Sequence, residues 1–275
     1  MRVKSGITRR IDLSYRSNRF VVVAAFGAGA VAGASGLLSG SGWWASVADG
    51  VLAGGAGFLA WAMARELDPD HPVSAGVAAI IAPLLLVAGP ANLLVMAVLL
   101  VSIRMVAGST GRVARPVDLV LLGLAAALIC LRVGGGAVAT VAAVAPAVSG
   151  WWHPTARRLL FAGSLAILAA VVGISVFIAD PARWLQPEGF ERGLLVSGLA
   201  AGLVAAWVVP PLRSVTDGRH GGRFVDARIR LARLMTLTAW VGAASWSGGP
   251  GVLAVGPAWT ALAATAVSAI ASLGE

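Results

Sequence analysis

The chain has 275 residues, of which 58% are hydrophobic and only 12% are charged. Soluble domains carry about 25% charged residues, so this composition excludes an ordinary water-soluble globule and predicts a protein surrounded by lipid. The net charge of +9 is spread over many separate segments rather than gathered on one basic face, so we expect a bilayer with anionic headgroups as the partner and no nucleic acid.

The first 19 residues form a basic tail, and residues 20–275 are predicted to form a single transmembrane domain. Crossing a bilayer takes roughly 20 apolar residues. Lipid offers no hydrogen-bond partner to backbone groups, so each crossing segment must be helical. The predicted fold is therefore all-α, with about ten transmembrane helices. The ten candidate segments are 20–38, 43–64, 72–88, 91–107, 117–131, 135–148, 159–178, 193–209, 234–246 and 251–273.

Basic residues alternate between the two sides of these segments. All but three of the 21 Lys and Arg residues lie in the tail or in every second gap, the exceptions being Arg132, Arg183 and Arg192. Segments on the cytoplasmic side of membrane proteins are enriched in Lys and Arg. The pattern therefore predicts a multi-pass protein of the cytoplasmic (inner) membrane with both termini in the cytoplasm. The cytoplasmic loop 210–233 is the longest, and its second half is predicted to be a basic helix lying on the inner leaflet.

Two pairs of segments are short for a membrane crossing. The segments within 72–107 and 117–148 turn at Gly89–Pro90 and at Gly134–Gly136. A re-entrant hairpin that never leaves the far side would place the same charges on the same side of the membrane. The charge pattern therefore leaves open whether these pairs span the bilayer or re-enter it.

Two sequence patterns concern the packing of the helices. Ser-Gly-Trp-Trp occurs at 41–44 and at 149–152, and its predicted positions on opposite sides suggest an inverted repeat of five plus five helices. GxxxG pairs allow helices to approach closely. They predict packing within the chain or, alternatively, a homodimer through these helix faces. The pairs are Gly29 with Gly33, Gly36 with Gly40, Gly50 with Gly54, and Gly198 with Gly202.

Asp49 is the most unusual residue within a predicted span. It follows Trp43 by six positions, which places it roughly 9 Å below the predicted outer interface at about 1.5 Å per residue. An ionised carboxylate at that depth is costly unless it faces a cavity, pairs with a cation or holds a proton. We expect Asp49 either to contact a substrate or coupling ion, or to form a hydrogen bond with a neighbouring helix close to the water.

The loop between the second and third segments is acidic where positive charge is expected. Glu66, Asp68, Asp70 and His71 lie within six residues, and carboxylate oxygens are ligands that divalent cations prefer. The first three are candidate ligands of a divalent cation, and no other cofactor is expected. The alternative is a solvated turn in which these acids cap the adjoining helices.

A second polar group is predicted on the same side of the membrane. Arg104, Arg112 and Arg219, with the loop around Gly108–Arg112, are candidates for binding phosphate. Asp118 opens the fifth segment, where an acid in the first helical turn also interacts favourably with the helix dipole. Binding and helix capping both remain open for this residue.

Three functions fit the sequence. A small-solute transporter or permease fits the short loops and the deep acid Asp49. A membrane-embedded enzyme acting on a lipid or polyprenyl phosphate at the cytoplasmic face fits the polar groups on that side. A non-catalytic subunit of a membrane complex would need neither. The substrate, a small molecule or a lipid, is not specified by any motif.

Overall fold

The computed structural model describes residues 11–178, 189–208 and 225–272, and within these residues every regular element is helical. A 3₁₀ turn at Leu85–Val87 follows the third α-helix. Each of the ten predicted segments corresponds to one helix, which confirms the all-α prediction. The helices are α1 (Arg16–Leu38), α2 (Trp43–Leu67), α3 (Pro72–Leu84), α4 (Leu93–Ala107), α5 (Pro116–Ile129), α6 (Gly135–Gly150), α7 (Arg157–Ile178), α8 (Gly189–Trp207), α9 (Asp226–Ala254) and α10 (Gly256–Ala271).

Helix length divides these elements into two groups. In the described part of the chain, α1, α2, α7 and α8 are long and apolar enough to cross a membrane, and α9 with α10 forms a fifth possible span bent by 82°. Helices α3 to α6 have only 13 to 16 residues, or about 20–24 Å, which is shorter than the roughly 30 Å of hydrocarbon in a bilayer. Helix length therefore supports four to five crossings, and ten are not confirmed.

Of the short helices, α5 and α6 pack against α4, whereas α3 packs against α2 and α10. The turns of these helices meet at one end of the bundle. The Asn92 backbone N–H donates to the Ala254 carbonyl at 2.9 Å, and the Gly134 N–H donates to Ser247 Oγ at 3.1 Å. Helix α9 breaks at Gly248, whose φ of 61° and ψ of −145° are not helical. The turns at 88–92, 130–134 and 248–255, which we call the hairpin tips, therefore lie against one another.

Glycine backbones bring α1 and α2 together. A Cβ atom on Gly50 would lie 2.8 Å from the Gly29 carbonyl oxygen, and one on Gly54 would lie 2.7 Å from the Ala25 oxygen. Gly198 and Gly202 pack in the same way under side chains of α9 and α10. A homodimer through these faces would have to displace helices of the same chain.

The two copies of Ser-Gly-Trp-Trp occupy different positions in the fold. In the first copy Trp43 begins α2, whereas in the second Ser149 and Gly150 end α6. An inverted repeat requires the copies to lie at equivalent points of the two halves. The predicted five-plus-five repeat is not confirmed.

Candidate functional site

An ion pair joins α2 and α4 at the end of the bundle opposite the hairpin tips. Arg104 Nε donates to Glu66 Oε1 at 2.7 Å, and the Glu66 side chain is only 1% exposed. The other carboxylate oxygen, Oε2, is buried and has no hydrogen-bond partner among the described residues. The charge pattern predicts this end to be cytoplasmic. One buried charge there is therefore only half satisfied.

Asp68 lies two residues after Glu66 and links the ends of α2, α3 and α10. Its side chain is 2% exposed, and its Oδ1 lies 2.8 Å from Nδ1 of His71. Its Oδ2 accepts hydrogen bonds from Ser74 Oγ of α3 at 3.4 Å and from Ser268 Oγ of α10. Asp68 therefore holds the start of α3 and the end of α10 against the end of α2.

Arg233 of α9 completes this group. Its guanidinium donates to the carbonyl oxygens of Leu67 at 2.7 Å, Ala205 at 2.5 Å and Val208 at 3.0 Å. The last carbonyls of a helix have no partner within it and carry the negative end of the helix dipole. A buried cation therefore stabilises the ends of α2 and α8 together. The charged cluster, as used below, consists of Glu66, Asp68, His71, Arg104, Arg233 and Ser268.

A second buried arginine caps α4. Arg228 donates from Nε to the Val106 carbonyl at 2.7 Å and from Nη2 to that of Met105 at 3.1 Å. Its guanidinium carbon lies 5.3 Å from the ring centroid of Trp152, a cation–π distance. Gly108 ends α4 with a φ of +68°, and a Cβ atom there would lie 2.3 Å from that carbon.

Sequence reasoning missed both buried arginines of α9. It placed them on a basic surface helix in the loop 210–233, but residues 226–233 begin α9 and bury Arg228, Ile229 and Arg233. The available signal was their position on the helix. Arg228 and Arg233 lie at the two edges of one buried helical face, with Ile229, Ala232 and Thr236 between them.

The structure separates several of the other predicted site residues. Asp49 is exposed on α2 rather than buried, and Arg112 is exposed beyond the end of α4. Asp118 Oδ2 accepts the Arg115 backbone N–H at 2.9 Å, which caps the start of α5. Arg219 lies outside the described residues.

The predicted divalent-cation site does not assemble. Among the described residues, no three His, Cys, Asp or Glu side chains are placed to hold a metal ion together. Glu66 and Asp68 point to different partners, Arg104 in one case and His71 with two serines in the other. Asp70 is half-buried. The three carboxylates therefore do not share a point at which a cation would bind.

An apolar groove runs along α1 and α2. It has a volume of about 710 Å³, and Leu93 of α4 contributes to its lining. Its walls are Ala, Gly, Val, Leu, Phe and Trp with the single hydroxyl of Ser46. Asp49 is not part of this lining, so the groove holds no charge.

The fold and the charged cluster together indicate the class of protein. Several apolar helices of membrane-spanning length, packed around a buried charged cluster, indicate a helical membrane protein. Comparison with protein-family models, curated proteins and solved structures finds no match to this chain.

Proposed function

We propose that this multi-pass protein of the cytoplasmic membrane carries a small solute across the bilayer as a transporter or permease. The supporting observation is the buried pair of Glu66 and Arg104, in which one carboxylate oxygen lacks a partner among the described residues. Ionisable groups between membrane helices are costly, and they commonly mark the paths of ions and substrates. Both termini would lie on the cytoplasmic side.

Stability alone does not account for this pair. Replacing a buried ion pair with apolar side chains of similar volume is often neutral or stabilising. Arg228 and Arg233 differ from it because they satisfy helix-terminal carbonyls. Glu66 instead keeps a buried oxygen available, and a transported solute or proton is a suitable partner for it.

The short helices support the same proposal. Transporters build their binding sites from broken or unusually short helices around the middle of the bilayer. Here α9 breaks at Gly248, and the hairpin tips lie against each other. We propose that α3/α4, α5/α6 and α9/α10 enter from the cytoplasmic side and turn inside the bilayer, while α1, α2, α7 and α8 cross it.

Transport can be tested with the full chain in liposomes. Uptake of a panel of radiolabelled amino acids, sugars and organic ions is compared with uptake by protein-free liposomes. At least one solute should enter faster, and Glu66→Gln should slow its entry by about tenfold or more, since a hydrogen bond to a charged group is worth about 1.5–3 kcal/mol and about 1.4 kcal/mol is tenfold in rate. No protein-dependent uptake, or full uptake by Glu66→Gln, would overturn the proposal.

Two further variants separate transport from folding. The double change Glu66→Gln with Arg104→Gln removes both charges, so it should fold yet remain inactive. Asp49→Asn is the matched control for loss of a carboxylate, because Asp49 is exposed, and it should transport normally. If the double variant regained full uptake, the pair would be structural only.

The topology has its own test. In a Cys130→Ser background, a cysteine at exposed Val133 of the α5/α6 tip is compared with one at Ser41 in the α1/α2 turn. A membrane-impermeant maleimide added outside should label position 41 much faster. Equal rates at the two positions would show that the α5/α6 tip reaches the outer surface.

A non-catalytic membrane subunit is the second candidate, and one observation favours it. Only 11% of the most apolar 18-residue stretch of α1 is buried, and the groove along α1 and α2 is apolar. Such a face suits a helix of another membrane protein. Co-purification of a fixed partner, together with no transport of any solute, would favour this function. The enzyme hypothesis has less support, because Arg104 is bound by Glu66 and Arg112 is exposed.

A further inference from the structure

A connected set of polar groups leads from the predicted cytoplasmic surface into the bundle. His71 is 36% exposed, and its Nδ1 lies 2.8 Å from the buried Asp68 carboxylate. On the other carboxylate oxygen, Ser268 Oγ of α10 donates a hydrogen bond. The same hydroxyl lies 3.1 Å from the Thr265 carbonyl oxygen, one turn further along α10 towards the hairpin tips.

We propose that Asp68 is a reversible proton-binding site and that His71 is its entry from the cytoplasmic side. This deepens the proposed transport function, on which it rests, by naming the proton as the coupling ion. An imidazole gains and loses a proton near neutral pH. A half-exposed imidazole bonded to a buried carboxylate can therefore exchange protons between water and the interior.

A buried hydroxyl gives independent support for a ligand in this region. Thr265 Oγ1 is 0% exposed and has no hydrogen-bond partner among the described residues. Buried hydroxyls are almost always bonded, because leaving one unsatisfied costs about 1–3 kcal/mol. A water molecule or a proton carrier next to Thr265 would satisfy it and would extend the path beyond Ser268.

The proton step balances with the groups present. A proton from the cytoplasmic water binds at Nε2 of the neutral His71 ring, whose Nδ1–H donates to Asp68 Oδ1. The Nδ1 proton then passes to Oδ1. The carboxylate becomes a neutral carboxylic acid, and the ring returns to neutrality as its other tautomer. Release follows the reverse order.

Charged groups of α2 and α9 lie near Asp68. Arg233 of α9 interacts electrostatically with the carboxylate, and Arg230 lies close to Arg233. On the neighbouring turn of α2, Glu66 is bound to Arg104 and Arg65 donates to the Pro69 carbonyl at 2.9 Å. From α3 and α10, Ser74 and Ser268 place their hydroxyls against the Asp68 carboxylate.

The primary test does not depend on transport. Infrared spectra of the full chain in lipid are recorded across a pH titration and after a pH jump. A carboxyl band should titrate in the wild type and in Asp49→Asn but disappear in Asp68→Asn. In His71→Gln, whose amide can still donate to Asp68, the band should persist while its response to the jump slows by about tenfold or more.

The outcomes separate the two proposals. If Asp68→Asn leaves all carboxyl bands unchanged, or His71→Gln responds as fast as the wild type, the proton site is wrong even if solute uptake is found. If uptake occurs but an imposed pH gradient does not change its rate, proton coupling is overturned while transport stands. If no solute is carried but the Asp68 band titrates as expected, the site survives and the transport function falls.

Discussion

Arg233 Nε donates a 2.7 Å hydrogen bond to the carbonyl oxygen of Leu67, 166 positions earlier in the chain. The same guanidinium binds two carbonyls at the end of α8. Leu67 and Ala205 are buried, so water cannot readily replace a lost donor at their carbonyls. One side chain therefore holds the ends of two helices that are far apart in sequence.

Replacing this guanidinium should destabilise the fold strongly. Arg233→Met fills similar volume but leaves the carbonyls of Leu67, Ala205 and Val208 without their donor, at an expected cost of about 3 kcal/mol or more. The unfolding midpoint in detergent should fall accordingly. Arg230→Met is the matched control, because Arg230 is exposed on the same helix. Equal effects of the two changes would contradict the capping role.

The end of α4 depends on a glycine for two separate reasons. Gly108→Ala should cost more than Gly40→Ala, although both glycines have positive φ values, of 68° and 81°. In both variants the left-handed conformation destabilises the new alanine by about 1–2 kcal/mol. Only the new Cβ atom at position 108 would also collide with the Arg228 guanidinium, since nothing lies within 4 Å at position 40. Unfolding midpoints of the two variants measure this difference, and indistinguishable midpoints would exclude the collision.

The contact between α1 and α2 should respond to a single methyl group. In Gly50→Ala the added carbon would lie 2.8 Å from the Gly29 carbonyl oxygen, so the helices must separate at a cost of about 1–3 kcal/mol. Gly27→Ala in the same helix pair meets nothing within 4 Å. It should be neutral or slightly stabilising, because alanine favours helix over glycine. Disulfide cross-linking between cysteines placed in α1 and α2 reports the separation.

Stability should decrease in mild acid through His153. Burial lowers the pKa of this imidazole, and the nearby Arg228 lowers it further. The unfolded chain has the ordinary value of 6.5, so below that pH it binds more protons than the folded chain. The contribution of neutral His153 to the free energy of unfolding is fully present above pH 6.5 and is lost as the pH falls through the pKa of the folded state. His153→Gln should flatten part of this dependence in unfolding experiments between roughly pH 7 and 5. A curve parallel to the wild type would show that the group does not contribute.

The sequence predicted the helices more successfully than the environment of each side chain. Apolar runs bounded by Gly and Pro located all ten helices, because lipid-compatible segments differ sharply from polar turns in composition. Helix length was harder to assign. Pro72 and Pro116 occupy the first positions of α3 and α5, but composition cannot show that α3 to α6 stop short of a full crossing.

The charged cluster was only partly predictable. The residues from Glu66 to His71 and Arg104 stood out as polar groups near apolar segments. Their pairing across 38 positions depends on how α2 packs against α4. The position of Asp49, six residues after the start of α2, predicted its depth below the interface but not the direction of its side chain, which is exposed in the described structure. The sequence predicts how far along a helix a residue lies, whereas the direction in which its side chain faces depends on tertiary packing.

The short helix α5 has a consequence for the surrounding membrane. Its 14 residues extend about 21 Å, and Val120, Leu121, Leu124 and Leu128 are exposed along it. In the proposed re-entrant arrangement this apolar face meets the acyl chains of the inner leaflet and ends short of the outer surface, because the hydrocarbon is roughly 30 Å thick. Thinning of the lipids beside the α5/α6 tip would bring water closer to its polar turn, whereas the lipids beside α1 and α2 need no such change. The protein would therefore favour thinner membrane, and its activity would depend on acyl-chain length.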